Sequence, residues 1–137
     1  MEPIRKLIKR AAKSIDQHSG PFAKRERLTR AQMAVLDFLS QQAGQTANQH
    51  TLDEEFAIQR STTTIMLQRL EKRNLIRRLP DPNDKRQKLV QLTAEANKLI
   101  PQIREEIKDD DLGLLQQFSK EELATVRKFL EYIAEEG

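Results

Sequence analysis

A chain of 137 residues is long enough for one folded domain and too short for two independent cores. It has no cysteine, which excludes disulfides, thiol nucleophiles and cysteine-bound zinc, and no apolar run approaches the ~20 residues that span a bilayer. The net charge is only +3, and with 37% hydrophobic against 33% charged residues the chain is lean in core, a balance often made good across a subunit interface.

The start, Met1 to Lys6, is not followed by the apolar stretch of a signal peptide, so the reading is a soluble cytoplasmic protein. Charge is unevenly spread. From Arg60 to Leu92 nine Lys/Arg stand against three Asp/Glu, a net +6. From Thr93 to the end six stand against eleven, a net −5, and the first 59 residues carry nine against seven, a net +2. A basic middle before an acidic tail points to a local polyanion site, with a merely solvated basic face as the competing reading.

Ile4, Leu7, Ile8, Ala11, Ala12 and Ile15 recur at helical spacing and predict a first amphipathic helix to about Asp16, broken by His18-Ser19-Gly20-Pro21. A second helix begins at Thr29, with a Thr29/Gln32 capping box and a Leu28–Met33 staple, and ends at Gly44. A short helix follows from about Thr51 to Phe56. Ser61 is positioned to cap a longer one through Arg73, closed by Asn74 in a left-handed conformation. Leu75–Leu79 and Lys88–Leu92 flank the charged loop Pro80–Arg86 and read as a β-hairpin, the only β structure expected. Thr93 caps a long helix that Pro101 should kink. Ser119 and Glu122 form the capping box of the last helix, with Phe118 stapled to Leu123.

The fold class predicted is mainly α with one small β-hairpin. It is a winged helix-turn-helix with flanking N- and C-terminal dimerisation helices. The chain forms a single domain, 1–137, with a DNA-binding lobe at about 28–93 and dimerisation helices at about 1–18 and 94–137. The two amphipathic stripes Ile4–Ile15 and Leu123–Ile133 find no adequate partner within one chain, so a homodimer is expected.

Three features carry the functional reading. Arg60 and the hydroxyl run Ser61-Thr62-Thr63-Thr64 open the fourth helix. Three β-branched residues suit a helix interior poorly, but short hydroxyls at a helix N-terminus suit phosphate and base-edge contacts. Gln68 and Arg69 follow, one suited to adenine, the other to guanine or phosphate, with an ion-paired Arg69 on a solvated face as the alternative. Asp84-Lys85-Arg86 at the hairpin tip fits a narrow minor groove, Asp84 holding Arg86 extended. No catalytic constellation, phosphate loop or metal-ligand spacing is present. His18 and His50 are far apart, and neither a cofactor nor a metal is expected.

The stretch from Ser61 to Thr93 resembles the multiple antibiotic resistance regulator (MarR) family of bacterial repressors. The resemblance rests on Gln68-Arg69-Leu70-Glu71-Lys72-Arg73-Asn74-Leu75-Ile76-Arg77 and on Asp81-Pro82-Asn83-Asp84-Lys85-Arg86, closing on Val90-Gln91-Leu92-Thr93. Leu28-Thr29 and Phe118-Ser119-Lys120-Glu121-Glu122-Leu123 are further landmarks. The chain departs from the family pattern at Asn74 and near Ala57, where glycine is usual, and at Asp53, where a small residue is usual. The resemblance implies a dimer with intertwined terminal helices, the fourth helix in the major groove and Arg86 in the minor groove of an imperfect palindromic operator. It further implies a repressor released by a small-molecule effector, whose contact residues the sequence does not assign. A winged-helix protein-interaction module without DNA binding is the alternative.

Overall fold

The computed structural model describes residues 1–136 and separates into two compact units, Met1–Arg104 and the residues from Glu105 onward. In the first unit, helix α1 spans Ile4–Gln17 and stops where His18 turns extended. Pro21 does more than break it. With a fixed φ and no N–H to leave unsatisfied, proline suits the first helical position, and α2, Pro21–Glu26, starts on it. The sequence reading missed this helix by treating Pro21 only as a breaker.

The Thr29/Gln32 capping box forms as expected: the Gln32 amide donates to Thr29 Oγ1 at 3.0 Å and the Thr29 amide to Gln32 Oε1 at 2.9 Å. It opens α3, Arg30–Ser40. That helix ends before Gly44, which instead turns a 3-10 segment, Ala43–Gln45, at φ +64°. Strand β1, Thr46–Asn48, comes next. The Asn48 side chain accepts from the Thr51 amide at 2.8 Å, so α4, Gln49–Phe56, begins two residues before Thr51.

Helix α5 runs Arg60–Lys72. Its N-cap is Gln59, with no side-chain cap bond, so Ser61 lies inside the first turn and is not the cap. Asn74 takes the left-handed conformation expected of it, φ +60°. Strands β2, Ile76–Pro80, and β3, Lys88–Leu92, pair antiparallel to make the wing. The hairpin is not the whole sheet: β1 pairs with the free edge of β3 in the order β1-β3-β2, with Ala47 and Arg78 on opposite sides of Val90. Three residues are too short a run to show strand alternation in a sequence.

Thr93 caps only α6, Ala94–Asn97, and α7, Ile100–Gln117, starts anew. Proline at 101 cannot donate to the Asn97 carbonyl and its ring crowds that carbonyl. The helix therefore breaks at Lys98–Leu99 where a kink was expected.

The core of this unit gathers Leu36 and Leu39 of α3, Leu52 of α4, Leu67 and Leu70 of α5, Ile76 and Val90 of the sheet, and Ile103 of α7, all essentially inaccessible. Burying each such side chain contributes roughly 1.5–3 kcal/mol. Phe38 and Phe56 join α3 to α4 edge to face, ring centroids 5.7 Å apart. Residues assigned above to the dimerisation helices, Ala96, Ile100 and Ile103, belong to this core.

In the second unit, the rest of α7 is followed by α8, Lys120–Glu135, opened by the expected Ser119/Glu122 capping box. No residue of α8 is buried, and none of α1 in the first unit. No helix among the described residues is long and apolar enough to cross a membrane.

Candidate nucleic-acid interface

Helices α4 and α5 meet across a turn made by Ala57, Ile58 and Gln59. Ala57 closes α4 in the left-handed region at φ +50°, where its Cβ costs about 1–2 kcal/mol relative to a relaxed backbone. The turn then delivers α5 with Thr63, Leu67 and Leu70 buried, a spacing of four and three that defines its inner side. Arg60, Ser61, Thr62, Ile65, Gln68 and Arg69 lie exposed on the remaining surface.

The hydroxyl run therefore divides. Ser61 and Thr62 face solvent. Thr63 is only 2% exposed, and its hydroxyl donates back to the Gln59 carbonyl at 3.3 Å. Thr64 is half-buried and accepts from Gln49 Nε2 at 2.7 Å, tying α5 to the start of α4. Thr63 and Thr64, expected at the interface, instead hold the helix in place, because the helical repeat turns two of four successive residues inward. Two residues beyond Thr63 the chemistry is inverted: Ile65, a large apolar side chain, is 51% exposed.

Arg60 is also engaged within the chain. Its Nε lies 3.2 Å from Asp53 Oδ2 and its Nη2 3.5 Å from Gln87 Oε1. One guanidinium thus spans α4, the first turn of α5 and the last residue of the wing loop. Asp53, where the family resemblance implies a small residue, is thus ion-paired through Oδ2, while its Oδ1 is buried without a hydrogen-bond partner among the described residues. Arg69 has no ion-pair partner among the described residues, so the ion-paired alternative is not formed. At the other end of α5, Arg73 donates to the carbonyls of Arg27 and Glu26 at 3.0 and 2.6 Å, and Arg78 of β2 pairs with Glu71 at 3.2 Å.

The wing loop is built on two aspartates. Asp81 is buried and accepts the Asn83 amide at 2.9 Å. Asp84 accepts the Arg86 amide at 3.0 Å, its carbonyl takes the Gln87 amide at 3.0 Å, and the Asp81 amide reaches the Gln87 carbonyl at 3.4 Å. These bonds fix a compact tip. From it the Arg86 side chain projects 92% exposed, its Nε 3.7 Å from Asp84 Oδ1. Lys85 beside it is exposed as well.

His18 and His50 are occupied locally, by the Ser14 carbonyl and Glu54 respectively. Sequence reasoning missed Gln49, Gln87 and Ile65. The first two are polar residues whose partners lie 15 and 27 positions away, beyond any local rule. Ile65 carried a usable signal, being out of phase with Leu67 and Leu70.

A family model described as "MarR family" matches residues 28–88. Among curated relatives, the transcriptional regulator HosA of Escherichia coli O111:H- is 40% identical over 73 residues, covering 53% of each chain, so the chain spans about half the length of that relative. HosA of Escherichia coli O157:H7 is 34% identical over 97 residues, 69% of this chain and 70% of that one. Among solved structures, the transcription regulator MarR from Oenococcus oeni PSU-1 is 34% identical with a TM-score of 0.77, covering 97% of this chain and 99% of that one. A mutant MarR from E. coli, complexed with operator DNA, is 26% identical with a TM-score of 0.82, over 96% and 93% of the two chains.

Proposed function

Since this chain belongs to the MarR family, we propose that it is a sequence-specific DNA-binding transcriptional regulator that acts as a homodimer. The observation that carries the reading is the pairing of two elements. One is the outward face of α5, with Ser61, Thr62, Gln68 and Arg69; the other is a hydrogen-bonded wing loop from which Arg86 projects into solvent. In this reading α5 enters the major groove. Thr62 and Gln68 reach base edges there, and Ser61 and the first amides of α5 meet phosphate. Arg86 enters the minor groove, where negative potential is concentrated, and Lys85 sits against the backbone.

A second copy covers the apolar faces left open on the terminal helices, Ile4, Leu7 and Ile15 on α1 and Val126, Phe129 and Leu130 on α8. Its two-fold axis presents two recognition helices to successive major grooves, so the operator is an imperfect palindrome with half-sites roughly 10 base pairs apart. Repression relieved by a small-molecule effector is the regulatory mode implied by the family resemblance.

The test is a gel shift on duplexes enriched by this protein from a random-sequence pool, in a salt series. Arg86→Ala should weaken binding to every sequence and flatten the log–log salt slope by about one unit for each wing contact removed. Thr62→Ala and Gln68→Ala should each weaken the enriched site more than random DNA, by about 1–3 kcal/mol. Equal affinity and slope for Arg86→Ala would remove the wing from the interface. A parent protein that enriches no duplex would favour the protein-interaction module.

A further inference from the structure

Among the described residues, the exposed isoleucine on α5 takes no part in the core. Ile65 stands outside the buried cluster, while Thr63, two residues earlier, occupies an inward position that an aliphatic side chain could fill. A singly exposed apolar residue is ordinary on a protein surface. This one is surrounded. Ser61 and Thr62 precede it by four and three positions, Gln68 and Arg69 follow by three and four, and all four are exposed polar neighbours on the same helical face. It is also the sixth residue of a thirteen-residue helix, in the N-terminal half that approaches base edges in helix-turn-helix docking.

Resting on the DNA-binding reading above, we propose that Ile65 is a specificity-determining residue whose side chain reads the 5-methyl group of thymine in the major groove. The major-groove edge of A·T differs from that of G·C in one apolar feature, the thymine methyl, and only an apolar contact recognises it. Polar neighbours on either side place hydrogen-bonding groups on the adjacent base pairs, so the isoleucine supplies the apolar element of a mixed recognition code. Closing water out from between the methyl group and the isoleucine gives the preference, about fourfold for each methyl group so covered.

Thymine-to-uracil exchange removes that methyl and leaves every hydrogen-bonding group of the base in place. The full-length protein would be offered its enriched duplex and the same duplex carrying uracil at each thymine in turn. The parent should lose about fourfold in affinity at one position per half-site. Ile65→Ala, which removes the contact in both half-sites, should bind the thymine duplex about sixteenfold more weakly than the parent, matching the parent on a duplex with both effective thymines exchanged, and should be indifferent to the exchange. Ile65→Val should retain the preference. Arg86→Ala should keep the full methyl preference while binding more weakly overall, which separates loss of readout from loss of affinity. Circular dichroism melting should be the same for parent and Ile65→Ala, the side chain being exposed.

The proposal is overturned if the parent binds the enriched duplex and is indifferent to every uracil. It is equally overturned if Ile65→Ala keeps the parent's uracil penalty. Both results leave the DNA-binding reading standing. A parent that enriches no duplex removes both.

Discussion

The helix-turn-helix lobe and the terminal helices are made from the same amino-acid types and stand in opposite conditions. α3, α4, α5 and the sheet converge on a shared set of inaccessible aliphatic side chains, whereas α1 and α8 are amphipathic helices with nothing buried at all. The contrast does not come from weaker patterning, since α8 has a complete capping box and apolar residues at helical spacing. It comes from partners. A helix becomes stable through the surface it covers far more than through propensity, and neither α1 nor α8 has a fully buried residue within its unit. The lobe carries its stability within one chain; in the dimer proposed above, the terminal helices would take theirs from a second copy.

The largest effect that would expose this difference is in the lobe. Leu36 is fully buried at the centre of α3. Leu36→Ala should cost about 2–5 kcal/mol through lost transfer energy and the cavity left behind. Urea denaturation of the parent and the variant would measure it. A loss under 1 kcal/mol would mean that the lobe lacks the close packing described.

Leu130→Asp tests the other side. The side chain is exposed on α8, so within one chain the change should be nearly neutral. In a dimer it buries an unpaired carboxylate in an apolar seam, a penalty of several kcal/mol that is relieved by dissociation. Sedimentation should show a dimer for the parent and a monomer, or aggregate, for the variant. A variant that stays dimeric with unchanged affinity would place the interface elsewhere.

Local chemistry explains which parts of this arrangement could be read from the sequence. Thr29 with Gln32, Ser119 with Glu122, and Asn74 after α5 each follow from two or three neighbouring residues, and each stands in the structure as expected. The errors share a different origin. β1 exists because β3 offers it a free edge more than forty residues later in the chain. The Ser61 cap failed because α5 begins at Arg60, which places Thr63 and Thr64 on the inner side. Within the candidate site, the wing tip was legible because Asp84 and Arg86 are two residues apart. Arg60 was read only as a groove contact, since its link to Asp53 and Gln87 depends on how three elements meet.

Ala57 offers a smaller test inside the lobe. Its left-handed backbone costs about 1–2 kcal/mol for a residue with a Cβ, and glycine adopts it freely while losing roughly 0.5–1 kcal/mol to chain entropy. Ala57→Gly should therefore stabilise the lobe slightly, by up to about 1 kcal/mol, without altering α5. A destabilised variant would mean that the alanine methyl makes packing contacts that outweigh the strain.

The smallest expected effect lies in the second unit and depends on pH. The Ser119 backbone amide, and after it the Ser119 side chain, hold the Glu122 carboxyl below its ordinary value of 4.5. A carboxyl whose folded-state pKa is depressed binds protons less readily folded than unfolded. Its stabilising contribution is therefore complete above 4.5 and disappears as the pH falls through the lower folded-state value. The group is fully exposed, so solvent screening keeps the effect small. Glu122→Gln isolates it, because glutamine can still accept the Ser119 amide in a capping box but cannot titrate. Parent and variant melting temperatures, compared from neutral pH down to about 3, should converge on acidification, with the parent losing the advantage of its charged cap. A constant gap across that range would show that the Glu122 charge does not stabilise α8, leaving the cap to hydrogen-bond geometry alone.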